Sequence, residues 1–208
     1  MQRILISGIN GRLGNTIKNA IEQSYLLFGH VKNECLKSTI DSSKPDIIID
    51  VTSAKNIQSH LAVYLQYQVP TIIGTSGLTP KEAYDMTSRC PFPLLIMPNF
   101  SESFQYFFQQ VKTMHKQYPA FKIIETHCST KVDAPSGCSL FLSHVLNNTP
   151  ITSHRVSNYI AKHEVYFGDA VDSIILTHEI HQPCGFIPGV IKAINHINTL
   201  KTGQVFIS

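Results

Sequence analysis

Four short apolar runs constrain this chain more than any other feature. RILISG (3–8), DIIIDVT (46–52), VPTIIGT (69–75) and PLLIM (93–97) are separated by segments whose apolar residues recur at helical spacing. Leu13, Ile17, Ala20 and Ile21 mark one such segment, and Ile57, Leu61 and Leu65 another. A run that is apolar on both faces is a strand buried on both faces. Strands alternating with helices build a parallel sheet covered on each side. TPKE (79–82) marks a helix start, since Thr79 can cap, Pro80 suits the first turn and Glu82 can reach back.

The rhythm changes near Pro98. Phe104, Phe107, Phe108, Val111 and Met114 form one helical stripe, and FKIIETHC (121–128) reads as a strand. HEVYF (163–167) and DSIILTHEIH (172–181) are two further strands with no helix between them, which implies antiparallel pairing. PGVIKAINHI (188–197) is a closing helix. The expected fold is therefore α/β with two lobes. A Rossmann-like parallel sheet takes residues 1–100 plus 186–208, and a second, mixed or open-sheet α+β domain takes 101–185.

Composition narrows the function classes. Of 208 residues, 43% are hydrophobic and 15% charged, so a packed globule is expected rather than a disordered chain. The net charge of +3 comes from scattered Lys and Arg, which argues against a nucleic-acid partner. No apolar run is long enough to span a bilayer, and MQRILISG is not a signal peptide, so no membrane partner is expected. Five cysteines without paired spacing fit reduced thiols and a cytoplasmic location.

Three segments carry candidate chemistry. Gly8, Gly11 and Gly14 in GINGRLG are spaced G-x-x-G-x-x-G between a strand and a helix. That arrangement lets backbone N–H groups and a helix N-terminus approach a pyrophosphate. Glu34 falls where a ribose 2′-hydroxyl would be bound, but Lys32 could instead pair a 2′-phosphate, so both NADPH and NADH stay open as cofactors. GTSG (74–77) and MPNFS (97–101) end two strands at the sheet edge where ligands sit. In the third segment, ETHCSTKVDAPSG (125–137), Glu125 and His127 share one strand face and Cys128 points away, with Lys131 just beyond. Imidazole and ammonium groups can both give protons to a substrate. Ser136 can cap the helix that follows, leaving N–H groups at Ser136, Gly137 and Cys138 for a carboxylate. Leu140, Phe141 and Val145 are its expected buried stripe.

GxxGRxG, IGTSG, PNFS and above all E-x-H-x-x-x-K-x-D-A-P-S-G occur here in an order and spacing similar to the dihydrodipicolinate reductase family, over nearly the whole chain. The chain resembles a short form of that family. The resemblance implies a dinucleotide-binding domain and a mixed-sheet domain that holds substrate and builds a homotetramer. It implies reduction of a small cyclic dicarboxylate by NADPH or NADH on the route to diaminopimelate and lysine. By motif, His127 and Lys131 would be the proton donors, and Cys128, Ser136, Gly137 and Cys138 would hold substrate. Gly8, Ile9, Asn10, Gly11, Arg12, Leu13, Gly74, Thr75, Ser76, Met97, Pro98, Asn99 and Phe100 would line the cofactor. No metal is implied. The chain departs from the family pattern at four positions. Cys128 stands where a histidine is usual, Cys138 for a threonine, Ser103 for a glycine and Pro183 for an arginine.

Three rival readings use the same residues. A metal could be sought at His163, His178 and His181, but His178 and His181 are three apart on a strand and face opposite sides. A thiol enzyme could use Cys138, with its pKa lowered by a helix N-terminus. A non-catalytic, Rossmann-type cofactor-binding or redox-sensing protein would keep the glycine-rich loop without turnover.

Overall fold

The computed structural model describes residues 1–75, 77–156, 160–169 and 171–205. Two sheets organise the chain. The first half runs β1 (Arg3–Ser7), α1 (Arg12–Ile21), β2 (Leu26–His30), α2 (Leu36–Ser43), β3 (Ile47–Asp50), α3 (Ala54–Tyr67), β4 (Thr71–Ile73), α4 (Pro80–Ser88) and β5 (Leu94–Ile96). Then follow α5 (Glu102–His115), β6 (Ala120–Cys128), α6 (Gly137–Val145), β7 (Ile151–Val156), β8 (Ala161–Gly168), β9 (Ser173–Ile180), α7 (Ile187–Ile197) and β10 (Gln204–Val205).

The first sheet has the order β10-β5-β4-β3-β1-β2. Every pairing in it is parallel. The chain steps outward from β1 to β2, then crosses back to place β3 on the other side of β1. That reversal opens a crevice beyond the carboxyl ends of β1 and β3, where doubly wound sheets bind ligands. Period-2 alternation sorts the apolar side chains into two cores. Ile4, Ile6, Ile47 and Ile49 pack with Ile17 and Ile21 of α1 and with Val190, Ala193, Ile194 and Ile197 of α7. Leu5, Ile48 and Ile73 face the opposite side, toward α2, α3 and α4. The Thr79–Glu82 capping box forms as the sequence indicates.

The second sheet is mixed, with the order β7-β6-β8-β9. β8 and β9 pair antiparallel, as does β8 with β6, while β7 runs parallel to β6 after the α6 crossover. Phe104, Phe107, Phe108 and Val111 of α5 join the core shared by Leu5 and Ile48 on one side and by Ile123, Val165 and Phe167 on the other. The buried stripe of α6 is shifted from the expected one. Phe141, Leu142 and Leu146 are buried, while Leu140 and Val145 are only half-buried. β2, α2, β7 and β10 were not foreseen from the sequence.

Candidate active site

The crevice of the first sheet is a cleft of about 680 Å³ lined by Gly8, Asn10, Gly11, His30, Lys32, Glu34, Thr52, Ser53 and His60, among others. Gly8 has φ +88°, a left-handed conformation that favours glycine. A Cβ on Gly14 would lie 2.1 Å from the Gly8 carbonyl oxygen, so the turn closes on itself only with glycine there. Gly11 is the N-cap of α1 and has no side chain to cap with, and no acid stands in the first turn. The opening N–H groups of α1 therefore keep their affinity for an anion. These observations fit the phosphates of a dinucleotide.

Asp50, at the end of β3, holds Thr52 and His60, two residues that line this cleft. It is fully buried. One carboxylate oxygen accepts from the Thr52 N–H at 2.9 Å and its hydroxyl at 2.6 Å. The other sits 2.7 Å from His60 Nδ1 and accepts from the Tyr64 hydroxyl at 2.7 Å. Burial alone would raise the Asp50 pKa, but the bonds from His60, Thr52 and Tyr64 outweigh it and lower it. Glu34 accepts from the Val31 N–H at 3.2 Å, beside Lys32.

A second cavity of about 320 Å³ lies where the two sheets meet. From the first sheet come Arg12, Leu13, Gly74, Pro98, Asn99 and Phe100, and from the second His127, Cys128, Thr130, Lys131, Ser136 and Cys138. The strand-end residues and the 125–137 segment therefore converge, although 39 positions separate Asn99 from Cys138, whose Sγ accepts from Asn99 Nδ2 at 3.4 Å. A Cβ on Gly74 would meet the Phe100 ring at 2.1 Å, so this strand end also needs glycine.

The remaining residues expected at the cofactor divide by burial. Ile9 is half-buried against the α1 core. Met97 is buried in that core, and Thr75 is buried with its hydroxyl 3.5 Å from the Asp50 carbonyl. Ser76 lies outside the described residues.

Glu125 organises the second-sheet side of this cavity. It is fully buried and its Oε1 is 2.9 Å from Arg155 Nη2. Its oxygens also accept the Ser136 N–H, at 3.1 and 3.0 Å, and the Ser139 hydroxyl at 2.6 Å. Its Oε2 lies 3.5 Å from His127 Nε2. Burial would raise this carboxyl, but bonds from His127, Ser136, Ser139 and Ser153 hold it well below the usual carboxylate range. The Ser136 N–H is thus taken by the protein. A ligand carboxylate is left the Gly137 and Cys138 N–H groups, which stand between the Ser136 contact and the Ser139 N–H capped by Ser136 Oγ.

His127 has 7% of its surface exposed, with Nδ1 3.2 Å from the Ile160 carbonyl. Lys131 Nζ is 2.8 Å from Asp133 Oδ1. Behind His127 lies His163, fully buried, its ring 5.3 Å from that of His127 and 5.2 Å from that of Phe104. Neither His163 ring nitrogen has a hydrogen-bond partner among the described residues. Burial, followed by the nearby His127, lowers its pKa to about 3. His178 accompanies it, its Nε2 2.9 Å from the Ser103 hydroxyl, and burial lowers its pKa to about 4.

Glu125, His127 and His163 place one ligand atom each within 4.8 Å of one another. This convergence differs from the His163–His178–His181 set weighed from the sequence, in which His178 is buried and His181 is 79% exposed. Both Glu125 oxygens already serve protein donors. The thiol reading of Cys138 is overturned, because burial pushes its pKa up to about 11. Cys128 behaves oppositely. Burial opposes its ionisation, but bonds from Thr130 and Arg12 lower its pKa. Asp50 and Arg155 escaped sequence reasoning, and His163 was weighed only as a metal ligand. An acid closing an apolar strand run, as Asp50 does, was the one local signal available.

The comparisons with known proteins agree with this geometry. The family model for the dihydrodipicolinate reductase N-terminus matches residues 2–100, and that for its C-terminus matches 102–207. The chain is 25% identical to the 4-hydroxy-tetrahydrodipicolinate reductase of Coxiella burnetii (strain RSA 493 / Nine Mile phase I), covering 95% of this chain and 94% of the relative. It is 26% identical to the enzyme of that name from Legionella pneumophila (strain Paris), again covering 95% and 94%. Among solved structures, dipicolinate-bound dihydrodipicolinate reductase from Paenisporosarcina sp. TG-14 shares the fold with a TM-score of 0.73 and 22% identity, covering 99% of this chain and 97% of that one. With the nucleotide crevice, the inter-sheet cavity and both family halves in register along one chain, this protein belongs to the dihydrodipicolinate reductase family.

Proposed function

We propose that the inter-sheet cavity binds 4-hydroxy-tetrahydrodipicolinate and that the chain reduces it to tetrahydrodipicolinate, in diaminopimelate and lysine biosynthesis, with NADPH or NADH in the neighbouring crevice. The observation that carries this reading is the meeting of two sets of residues in one cavity. His127, Lys131 and the start of α6 come from one side, and the strand ends at Gly74 and Pro98–Phe100 from the other. Family membership favours a reductase over a cofactor-binding protein without turnover.

A bound nicotinamide supplies the hydride. The chain's own residues do the rest. Gly8, Asn10, Gly11 and the α1 N-terminus hold the phosphates. Lys32 offers a cation to a 2′-phosphate and Glu34 an acceptor to a 2′-hydroxyl. The Gly137 and Cys138 N–H groups take one substrate carboxylate, helped by the positive end of α6. The 4-hydroxyl leaves as water with a neighbouring proton, which gives a C=C conjugated to the ring imine; hydride addition to the far carbon of that C=C then leaves an electron pair that needs a proton. His127 lines the cavity, with Nε2 3.5 Å from Glu125 and Nδ1 3.2 Å from the Ile160 carbonyl, and is placed to deliver that proton. Lys131 stands beside it as the second donor, oriented by Asp133.

Residues 1–100 with 186–208 serve as the nucleotide domain and 101–185 as the substrate domain. The second sheet also builds a homotetramer, an assignment supported by Ile174 and Ile175 of β9, which are 41% and 47% exposed on an edge strand. No helix among the described residues is long and apolar enough to cross a membrane.

The test is nicotinamide oxidation with freshly generated substrate, run with NADPH and with NADH, in the wild type and in Lys32→Ala and Glu34→Gln. Substrate-dependent oxidation is expected. Selective weakening of NADPH in Lys32→Ala, and of NADH in Glu34→Gln, would assign the ribose contacts. Cofactor binding without turnover would reject the reductase reading.

A further inference from the structure

Arg12 belongs by position to the nucleotide loop, as the first residue of α1. Its side chain goes elsewhere. It lines the inter-sheet cavity and not the nucleotide crevice. Nη1 donates to Cys128 Sγ at 3.1 Å, and Nη2 donates to Thr130 Oγ1 at 2.9 Å. The guanidinium therefore spans from the first sheet to the end of β6, where two short side chains orient its plane.

The charge inventory of the cavity singles this group out. Lys131 is neutralised by Asp133 at 2.8 Å, and His127 faces Glu125. No carboxylate among the described residues pairs with Arg12. A guanidinium has five N–H donors, and Cys128 and Thr130 occupy one on each terminal nitrogen, so several remain for a planar acceptor. The start of α6 can bind only one carboxylate through its two available N–H groups. A dicarboxylate brings a second, and a carboxylate excluded from water needs a charged or hydrogen-bonding partner.

We infer that the Arg12 side chain, presented by Cys128 and Thr130, binds the second carboxylate of the substrate and selects dicarboxylates over monocarboxylates. Its backbone N–H remains with the nucleotide phosphates. One residue thereby ties filling of the two sites together. The inference rests on the proposed reductase function and deepens it.

The experiment pairs a change in the protein with a change in the ligand. Binding of pyridine-2,6-dicarboxylate and of pyridine-2-carboxylate is measured calorimetrically in the presence of NADPH, for wild type, Arg12→Gln and Thr130→Val. NADPH affinity is measured separately. Arg12→Gln is expected to weaken the dicarboxylate by about 10- to 100-fold, the range for a charge-assisted contact, and to change the monocarboxylate and NADPH by less than about threefold. Thr130→Val should show a smaller loss with the same selectivity. Equal losses for both pyridine acids, or no loss, overturn the inference. A loss of NADPH affinity with intact dicarboxylate binding also overturns it, placing the guanidinium on the cofactor while leaving the reductase reading in place. A wild type that binds NADPH but neither reduces the substrate nor binds the dicarboxylate sinks both.

Discussion

Arg155 reaches from β7 to Glu125 on β6, Nη2 to Oε1 2.9 Å, and this pair sets the chemistry of the cavity without lining it. The carboxylate is fully buried, the guanidinium largely so. Glu125 in turn holds the first N–H of the α6 turn and faces His127. Glu125→Gln leaves Arg155 without a counter-charge. It is expected to cost about 3 kcal/mol of stability in urea denaturation, and Glu125→Gln/Arg155→Met should recover part of that loss. A single variant as stable as wild type would contradict the pairing.

In the proposed mechanism His127 and Lys131 divide the proton-donating work. His127→Gln should lower kcat by about 10²- to 10³-fold and Lys131→Ala by a comparable factor, with NADPH affinity unchanged. Steady-state kinetics beside a fluorescence titration of NADPH separates the two effects. Unchanged kcat in either variant would remove that residue from the mechanism.

The buried imidazoles make stability depend on pH. A histidine titrates near 6.5 in an unfolded chain. In the folded protein His163 is lowered to about 3 and His178 to about 4. Between those values the unfolded state binds more protons, so stability is full above about pH 6.5 and falls as the pH drops. Each group contributes a slope of up to about 1.4 kcal/mol per pH unit in that window. Glu125 adds its own loss at lower pH, below the unfolded carboxylate value of about 4.3. His163→Leu should flatten the slope between pH 4 and 6. It should not weaken the fold at pH 7.5, since the nitrogens it removes have no partner. Chemical denaturation across this range, in wild type and variant, is the check.

Gly14→Ala forces a Cβ to within 2.1 Å of a backbone carbonyl that cannot swing away. A destabilisation of about 1–3 kcal/mol is expected, together with weaker NADPH binding as the loop moves. Thermal melts with and without NADPH measure both, and a variant with a wild-type melt and affinity would refute the tight-turn geometry.

What could be read along the chain was what local pattern encodes. The isoleucine runs of β1 and β3 were legible as continuous apolar stretches, and the strand alternation of β6 puts Glu125 and His127 on one face. The LLFGH of β2 contains a glycine and begins with a largely exposed Leu26, and the ITSHRV of β7 is half-exposed throughout, so neither shows an apolar run. β10 has two residues, too few for any pattern. Within the site, Arg155 and His163 arrive through strand register. His127 pairs with Arg155 across β6 and β7, and Glu125 with His163 across β6 and β8. Register belongs to the assembled sheet, and nothing near residues 155 or 163 announces it.

The phenylalanines of α5 have a mechanical consequence. Because Phe104, Phe107 and Phe108 lie in one apolar mass with Leu5 on one side and Phe167 on the other, the halves of the molecule cannot drift apart like beads on a string. Any breathing that admits a ligand must swivel about this aromatic seam. The strut from Arg12 to Cys128 and Thr130 is the member such a swivel would stretch or release.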